Sequence, residues 1–187
     1  MTAHGEPLLS DTLAALLPVL ERLQVPYCLL GALAVSAWGL PRMTQDVDIL
    51  LAIDQPQQNQ LMQALEAAGF RYDQTWADAN STIRDWHFRF QRGVVPVDLM
   101  LPRDAHDQAL LERRRRIPYG TLTVWAIAPE DLILHKLKVG RAQDFVDVVT
   151  VLQRQRNHLD MAYLRDWAER LGIQEELGYC RRSSEAQ

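Results

Sequence analysis

Hydrophobic and polar positions change period several times along the chain, and each change marks an element. Residues 8–23, LLSDTLAALLPVLERL, carry apolar side chains at helical spacing behind a Ser10/Asp11 cap signal, which predicts an opening helix. VPYCLL (25–30) is a short apolar run ending at Gly31, as a buried strand does on entering a tight turn. The small residues ALAVSAW then predict a helix, closed by Gly39 and Pro41. VDILLAI (47–53), β-branched and leucine-rich between polar stretches, reads as a central strand. QQNQLMQALEAAGF (57–70) is amphipathic and stops at Gly69, the residue type that usually follows a helix end.

Further on, DWHFRFQ (85–91) alternates aromatic and polar residues, and VVPVDLML (94–101) follows after Arg92-Gly93, which predicts a hairpin. HDQALLERRRR reads as a helix and YGTLTVWAIA as a strand; from Pro129 the pattern is helical to about residue 171. The stretch 130–152 is expected to be one helix, with Lys136, Gly140, Asp144 and Asp147 on one face at spacings of four, four and three. Internal repeats and low-complexity linkers are absent from the sequence. The expected fold is α/β (α+β): a mixed β-sheet flanked by helices, with residues 1–128 as the core and 129–187 as a C-terminal helical portion packing on it.

Composition narrows the function classes. A chain of 187 residues, 48% hydrophobic, suffices for one buried core with a small helical lobe. A net charge of -4 argues against a general nucleic-acid coat, which needs a basic excess. Cys28, inside an apolar run, and the distant Cys180 suggest free thiols in a reducing compartment rather than a disulfide framework. MTAHGEPLLSDTLAALLPVL lacks a charged-then-apolar signal segment, and no apolar run approaches the roughly 20 residues of a membrane span, so a cytoplasmic protein without a membrane partner is expected. The five histidines show no pair at zinc-ligand spacing, and Gly31 with Gly39 is not a dinucleotide fingerprint. Arg113 to Arg116 form the strongest basic cluster, placed by the pattern at a helix end where cations favour the dipole. Trp38, Trp86, Trp125 and Trp167 read as core or half-buried residues.

Candidate chemistry begins with Asp46 and Asp48. Strand alternation points both the same way, and Asp98 in PVDLM is a third acid on an apolar strand. Three such acids on neighbouring strands repel one another, and a divalent cation relieves that repulsion. Oxygen-only ligands suit Mg²⁺, and two ions roughly 4 Å apart clamp the attacking and leaving oxygens of a displacement at phosphorus. The structural alternative is that Asp46 caps a turn, Asp48 is a strand-edge charge and Asp98 pairs with an arginine. Gly31 sits between a strand and a helix whose first N–H groups would face the acids, and such helix ends bind phosphate.

Gly31 with its small helix, RMTQDVDI and the later VDLM resemble the nucleotidyltransferase fold of the DNA polymerase β superfamily. GALAVSAWGLPRMTQDVDILL together with PEDLILHKLKVGRAQDFVDVVTVL is similar to the bacterial stand-alone nucleotidyltransferases related to abortive-infection type II (AbiEii) toxins, over roughly residues 25–152. The resemblance implies that Asp46, Asp48 and Asp98 hold metal, two Mg²⁺ ions, with Asp98 orienting or deprotonating the attacking hydroxyl. It implies that Gly31 and Ala32 bind the triphosphate of an NTP through backbone groups, although the family has Gly or Ser where this chain has Ala32. Arg42 and Thr44 match a basic residue and a hydroxyl expected at phosphate; for Arg42 a counter-ion role toward the carboxylates stays open. Lys136, Arg141 and Asp144 match the second signature, with Gln143 where that pattern has lysine, while Asp147 is either part of it or an ion-pair partner. The implied activity is Mg²⁺-dependent transfer of NMP from an NTP to a hydroxyl of a tRNA, a protein side chain or a small molecule, in a toxin–antitoxin or phage-defence system with a cognate toxin or antitoxin. Two alternatives remain: an inactive nucleotide- or partner-binding module, which Ala32 motivates, and a metal-dependent phosphodiesterase.

Overall fold

The structure, a computed structural model, describes residues 8–185; residues 1–7 of the segment read for a signal sequence, and the outer ends of the two expected parts, lie outside them. In chain order the elements are α1 (Leu9–Arg22), β1 (Tyr27–Leu29), α2 (Gly31–Trp38), β2 (Val47–Leu51), α3 (Gln55–Ala67), β3 (Arg71–Tyr72), α4 (Gln74–Ala79), β4 (His87–Arg92), β5 (Val95–Met100), α5 (Ala105–Arg113), β6 (Arg115–Tyr119), β7 (Leu122–Ala126), α6 (Pro129–Val139), α7 (Ala142–Arg154), α8 (Met161–Leu171) and α9 (Gln174–Glu185). The strands form one mixed sheet in the order β3-β4-β5-β2-β1-β7-β6. β2 runs parallel to β5 and β1 parallel to β7, whereas β1/β2, β3/β4, β4/β5 and β6/β7 are antiparallel.

Alternation along the central strands sorts the core into two layers. Val47, Ile49 and Leu51 of β2, with Val95, Val97 and Leu99 of β5, pack with Leu13, Leu16 and Leu20 of α1 and Leu61 and Leu65 of α3. On the other face Leu50 and Cys28 join Ala34, Leu132, Leu137, Val148, Val151 and Leu164, so α2 and α6 to α8 cover that side. Asp48 shares the face of Leu50, and Asp98 that of Met100, because side chains two apart lie on one side of a strand. The helical end therefore shares a core with the sheet and roofs the face that carries the acids.

Several expectations about elements are corrected. Residues 130–152 form two helices, because Gly140 adopts the left-handed conformation (φ +74°) that ends α6 and turns the chain into α7. The segment read as a helix through residue 116 stops at Arg113: Arg114 is extended, and Arg115–Tyr119 forms an edge strand, the one sheet position where Pro118 loses no ladder bond. Gly120 (φ +58°) turns that strand into β7, so the run from residue 119 is half of a hairpin rather than one strand. β3 and α4 were not anticipated, and the helical region continues past residue 171 into α9. α3 begins at Gln55, two residues early, behind an Asp54 cap whose carboxylate accepts the Gln57 N–H at 2.9 Å. Among the described residues no helix is long and apolar enough to cross a membrane.

Candidate active site

Asp46 lies in the loop just ahead of β2, Asp48 is its second residue, and Asp98 is the partner of Asp48 across the parallel β2/β5 pair. One oxygen from each of the three lies within 4.8 Å of the others. Thr44 donates its hydroxyl to the Asp46 carboxylate and so fixes it. Gly31, the first residue of α2, has φ +60°, and a Cβ there would fall 1.8 Å from Asp48 Oδ2. Only glycine fits against that carboxylate.

The acids differ in their surroundings. Burial, together with the charges of Asp46 and Asp98, pushes the Asp48 carboxyl up to about 6. For Asp98 burial also acts upward, but hydrogen bonds from His87 and Arg89 outweigh it and hold the carboxyl below its ordinary range. Arg89 grips Asp98 with both arms of its fork, Nε at 2.8 Å and Nη2 at 2.7 Å, and His87 Nε2 lies 3.0 Å from Oδ1. The pairing of Asp98 with an arginine, read as an alternative to metal binding, thus coexists with the three-acid cluster. The oxygen-only donors, one of them raised by burial and by like charges that Lys136 and His87 offset only in part, fit a hard divalent cation.

The cluster opens into a cleft of about 680 Å³. Gly31, Asp46, Asp48 and Asp98 line its floor; Lys136, Arg141 and Asp144 line it from the α6–α7 side; Trp86, His87, Arg89 and Arg103 line it from the β4–β5 side. Ala32 is buried and, with Arg42 and Thr44, does not line the cleft. Lys136 is 3% exposed and donates to Asp144 at 2.8 Å, with Asp147 at 2.9 Å. These groups meet across the Gly140 turn rather than along a single helix face. Arg141 Nε donates to Asp144 at 2.9 Å while its side chain stays 72% exposed. Arg42 donates to Asp147 at 3.0 Å, so its counter-ion is on α7 and not among the site carboxylates.

His87 and Arg89 were missed as site residues, although a hairpin register counted back from Gly93 sets Arg89 opposite Asp98. A second acidic group, Asp104, His106 and Asp107, also lies in ligand range. Both of its carboxylates already accept from Lys138, at 2.8 and 2.6 Å. The arginine run divides: Arg113 donates to buried Asp131 at 2.9 Å and Glu130 at 3.2 Å, and Arg114 and Arg116 stack over Trp125.

A model of the family described as "Uncharacterised nucleotidyltransferase" matches residues 1–186. Among solved structures, the chain is similar to the lincosamide antibiotic adenylyltransferase LnuA bound to lincomycin (17% identity, TM-score 0.55, 78% of this chain and 97% of that one). It is also similar to ANT(2")-Ia in complex with adenylyl-2"-tobramycin (13%, 0.59, 86% and 95%). A third likeness is to an antigenic nucleotidyltransferase-like protein from Paracoccidioides brasiliensis (16%, 0.54, 91% and 91%). No curated protein matches the sequence significantly.

Proposed function

Because the chain belongs to the nucleotidyltransferase family whose model spans nearly all of it, we propose that it moves a nucleoside monophosphate from an NTP to a hydroxyl acceptor, with Mg²⁺ held by Asp46, Asp48 and Asp98. The fold is the nucleotidyltransferase fold, a mixed sheet with helices on both faces. The observation that carries the reading is the convergence of three carboxylates from β5, β2 and its approach loop, directly beside the glycine that opens α2.

In the transfer, the acceptor oxygen attacks the α-phosphorus, the bond to the bridging oxygen breaks, and pyrophosphate leaves with that electron pair. The hydroxyl proton passes to solvent. Bound divalent ions supply charge neutralisation at the phosphates; the rest is positioning. Asp98, with its proton affinity lowered, serves better as a ligand and as an acceptor that orients the hydroxyl than as its base. Lys136 and Arg141 offer cations to the leaving phosphates, and Gly31 permits close approach of the α2 backbone. Arg42 and Thr44 act as positioning residues, since they hold Asp147 and Asp46.

The similar structures bound to lincomycin and to adenylyl-2"-tobramycin support a small-molecule acceptor. A toxin–antitoxin or phage-defence setting, with a tRNA or protein acceptor and a cognate partner, rests on the AbiEii-like resemblance and is the second reading. Label transfer from α-³²P-NTPs with Mg²⁺ tests both. The expected result is label on a low-molecular-weight acceptor from a metabolite extract, reduced about 1000-fold in Asp48→Asn, the equivalent of several kcal/mol of lost charge stabilisation. Label on RNA or protein instead would favour the second reading, and an unaffected Asp48→Asn would remove the metal role.

A further inference from the structure

Nucleotidyl transfer is displacement in line, so the acceptor must approach the α-phosphorus from the side opposite the departing pyrophosphate. Across the strand order β1-β2-β5-β4, Gly31 and α2 follow β1, Asp48 and Asp98 lie on β2 and β5, and His87 and Arg89 lie on β4. Phosphate-binding groups at the α2 end thus leave the β4–β5 end, roughly three strand spacings or 14 Å away, for the acceptor. Trp86, just before β4, and Arg103, just after β5, line that end, and the Leu101 N–H donates to the Trp86 carbonyl, tying the exit of β5 to the approach to β4.

Arg103 stands apart from the other fixed cations of the cleft. Arg89 is bound to Asp98, Lys136 to Asp144 and Asp147, Lys138 to Asp104 and Asp107, and Arg141 to Asp144. The guanidinium of Arg103 has no carboxylate partner among the described residues; it stacks 4.1 Å over the Trp86 ring. Its backbone N–H donates to Asp107 Oδ2 at 3.0 Å, which anchors the base of the side chain. Arg103 is an exposed residue at the cleft edge, the cation–π contact favours a position over the ring, and the fork of a guanidinium matches the oxygens of phosphate or carboxylate. Asp104 and Asp107, the nearest acids, are already engaged by Lys138.

We infer that Trp86 and Arg103 form the acceptor subsite and select a hydroxyl compound that carries a phosphate or carboxylate group. The inference rests on the nucleotidyl-transfer reading and names the acceptor class for it. A polycationic acceptor would meet Arg103 and Arg89 at this end, whereas an anionic one gains a charge-assisted fork.

Calorimetry on the full chain tests this in two steps. The first is binding of the α,β-methylene analogues of ATP, GTP, CTP and UTP with Mg²⁺; if none binds, the nucleotidyl-transfer reading fails and the acceptor inference falls with it. With the analogue that binds in place, ribose 5-phosphate, glucuronate, ribose and glucosamine are titrated as probes. Tighter binding of either anionic sugar than of ribose and glucosamine, weakened about tenfold or more in Arg103→Gln with analogue affinity unchanged, supports the inference; which anion binds tells phosphate from carboxylate. Trp86→Leu should weaken the same probe, because the arginine loses its platform. The inference is overturned if the anionic sugars bind no better than ribose, if glucosamine binds best, or if Arg103→Gln weakens the nucleotide analogue instead.

Discussion

Gly31 and Asp48 constrain each other at the scale of a single contact. The φ of +60° and a Cβ position 1.8 Å from Asp48 Oδ2 mean that Gly31→Ala must displace either α2 or the carboxylate. It is expected to cost about 2–4 kcal/mol by urea unfolding. Gly69→Ala is the control, since φ +84° there leaves only backbone strain of about 1 kcal/mol and nothing lies within 4 Å. Asp48 itself carries a cost in the ion-free protein. Its folded value of about 6 lies above the ordinary 3.8, so stability declines as pH rises between the two and the loss is complete at neutral pH. Asp48→Asn should therefore stabilise the ion-free protein at pH 7, on the order of 1–2 kcal/mol, with the gain fading toward pH 4. Mg²⁺ affinity of the unaltered protein should fall as pH drops below about 6, measured by calorimetry. The acids were legible in the sequence because a carboxylate inside an apolar strand is conspicuous. Their partners were not: His87 and Arg89 sit in an alternating strand that reads equally well with a solvated polar face, and only the register about Gly93 separates the two.

At the scale of elements, the α6–α7 corner shows what periodicity alone cannot give. Lys136, Asp144 and Asp147 have helical spacing whether or not the helix is continuous, so the spacing hid the turn, and Gly140, a stop of the same kind as Gly69, was its one sign. The turn lets buried Lys136 satisfy both carboxylates of α7. β6 was hidden for a similar reason, because four consecutive arginines mask the alternating Ile117 and Tyr119 that pack on the sheet. For Asp144 burial acts upward, but hydrogen bonds from Arg141 and Lys136 hold its carboxyl below the usual range; Asp147 behaves likewise through Lys136, Gln143 and Arg42. Their stabilisation is present above the unfolded carboxylate value and is lost as pH falls through the lowered one. Lys136→Met leaves two buried carboxylates short of a cation and should cost about 3 kcal/mol or more at pH 7. Urea unfolding at pH 4.5 should show a smaller deficit, because protonation then relieves the uncompensated charge. An equal deficit at both pH values would mean that packing, rather than charge, is what Lys136 contributes.

Over the whole molecule, the cleft exists because two layers meet unevenly. The face of the sheet bearing Asp48 and Asp98 is sealed by apolar packing where Leu50 and Cys28 meet α2 and α6 to α8, and it is open where the acids stand. Arg42 ties the Asp46 loop to Asp147 of α7, and Trp38 Nε1 ties α2 to the Ile127 carbonyl at 2.7 Å. Ligand that fills the opening therefore engages the sheet, α2 and the α6–α7 corner together and should stabilise the fold as one unit. A ligand at 100 times its dissociation constant adds about 2.7 kcal/mol. For a chain of 187 residues that corresponds to a rise in Tm of roughly 5–10 °C. Thermal unfolding with Mg²⁺ and a non-hydrolysable NTP should show this rise, and neither component alone should give it in full, since Lys136 and Arg141 offset only part of the triphosphate charge. In the double variant Asp46→Asn, Asp48→Asn the Mg²⁺-dependent part of the rise should disappear, while any part due to Lys136 and Arg141 remains. An undiminished shift in that variant would place the nucleotide away from the acids and would leave their convergence beside Gly31 without a catalytic purpose.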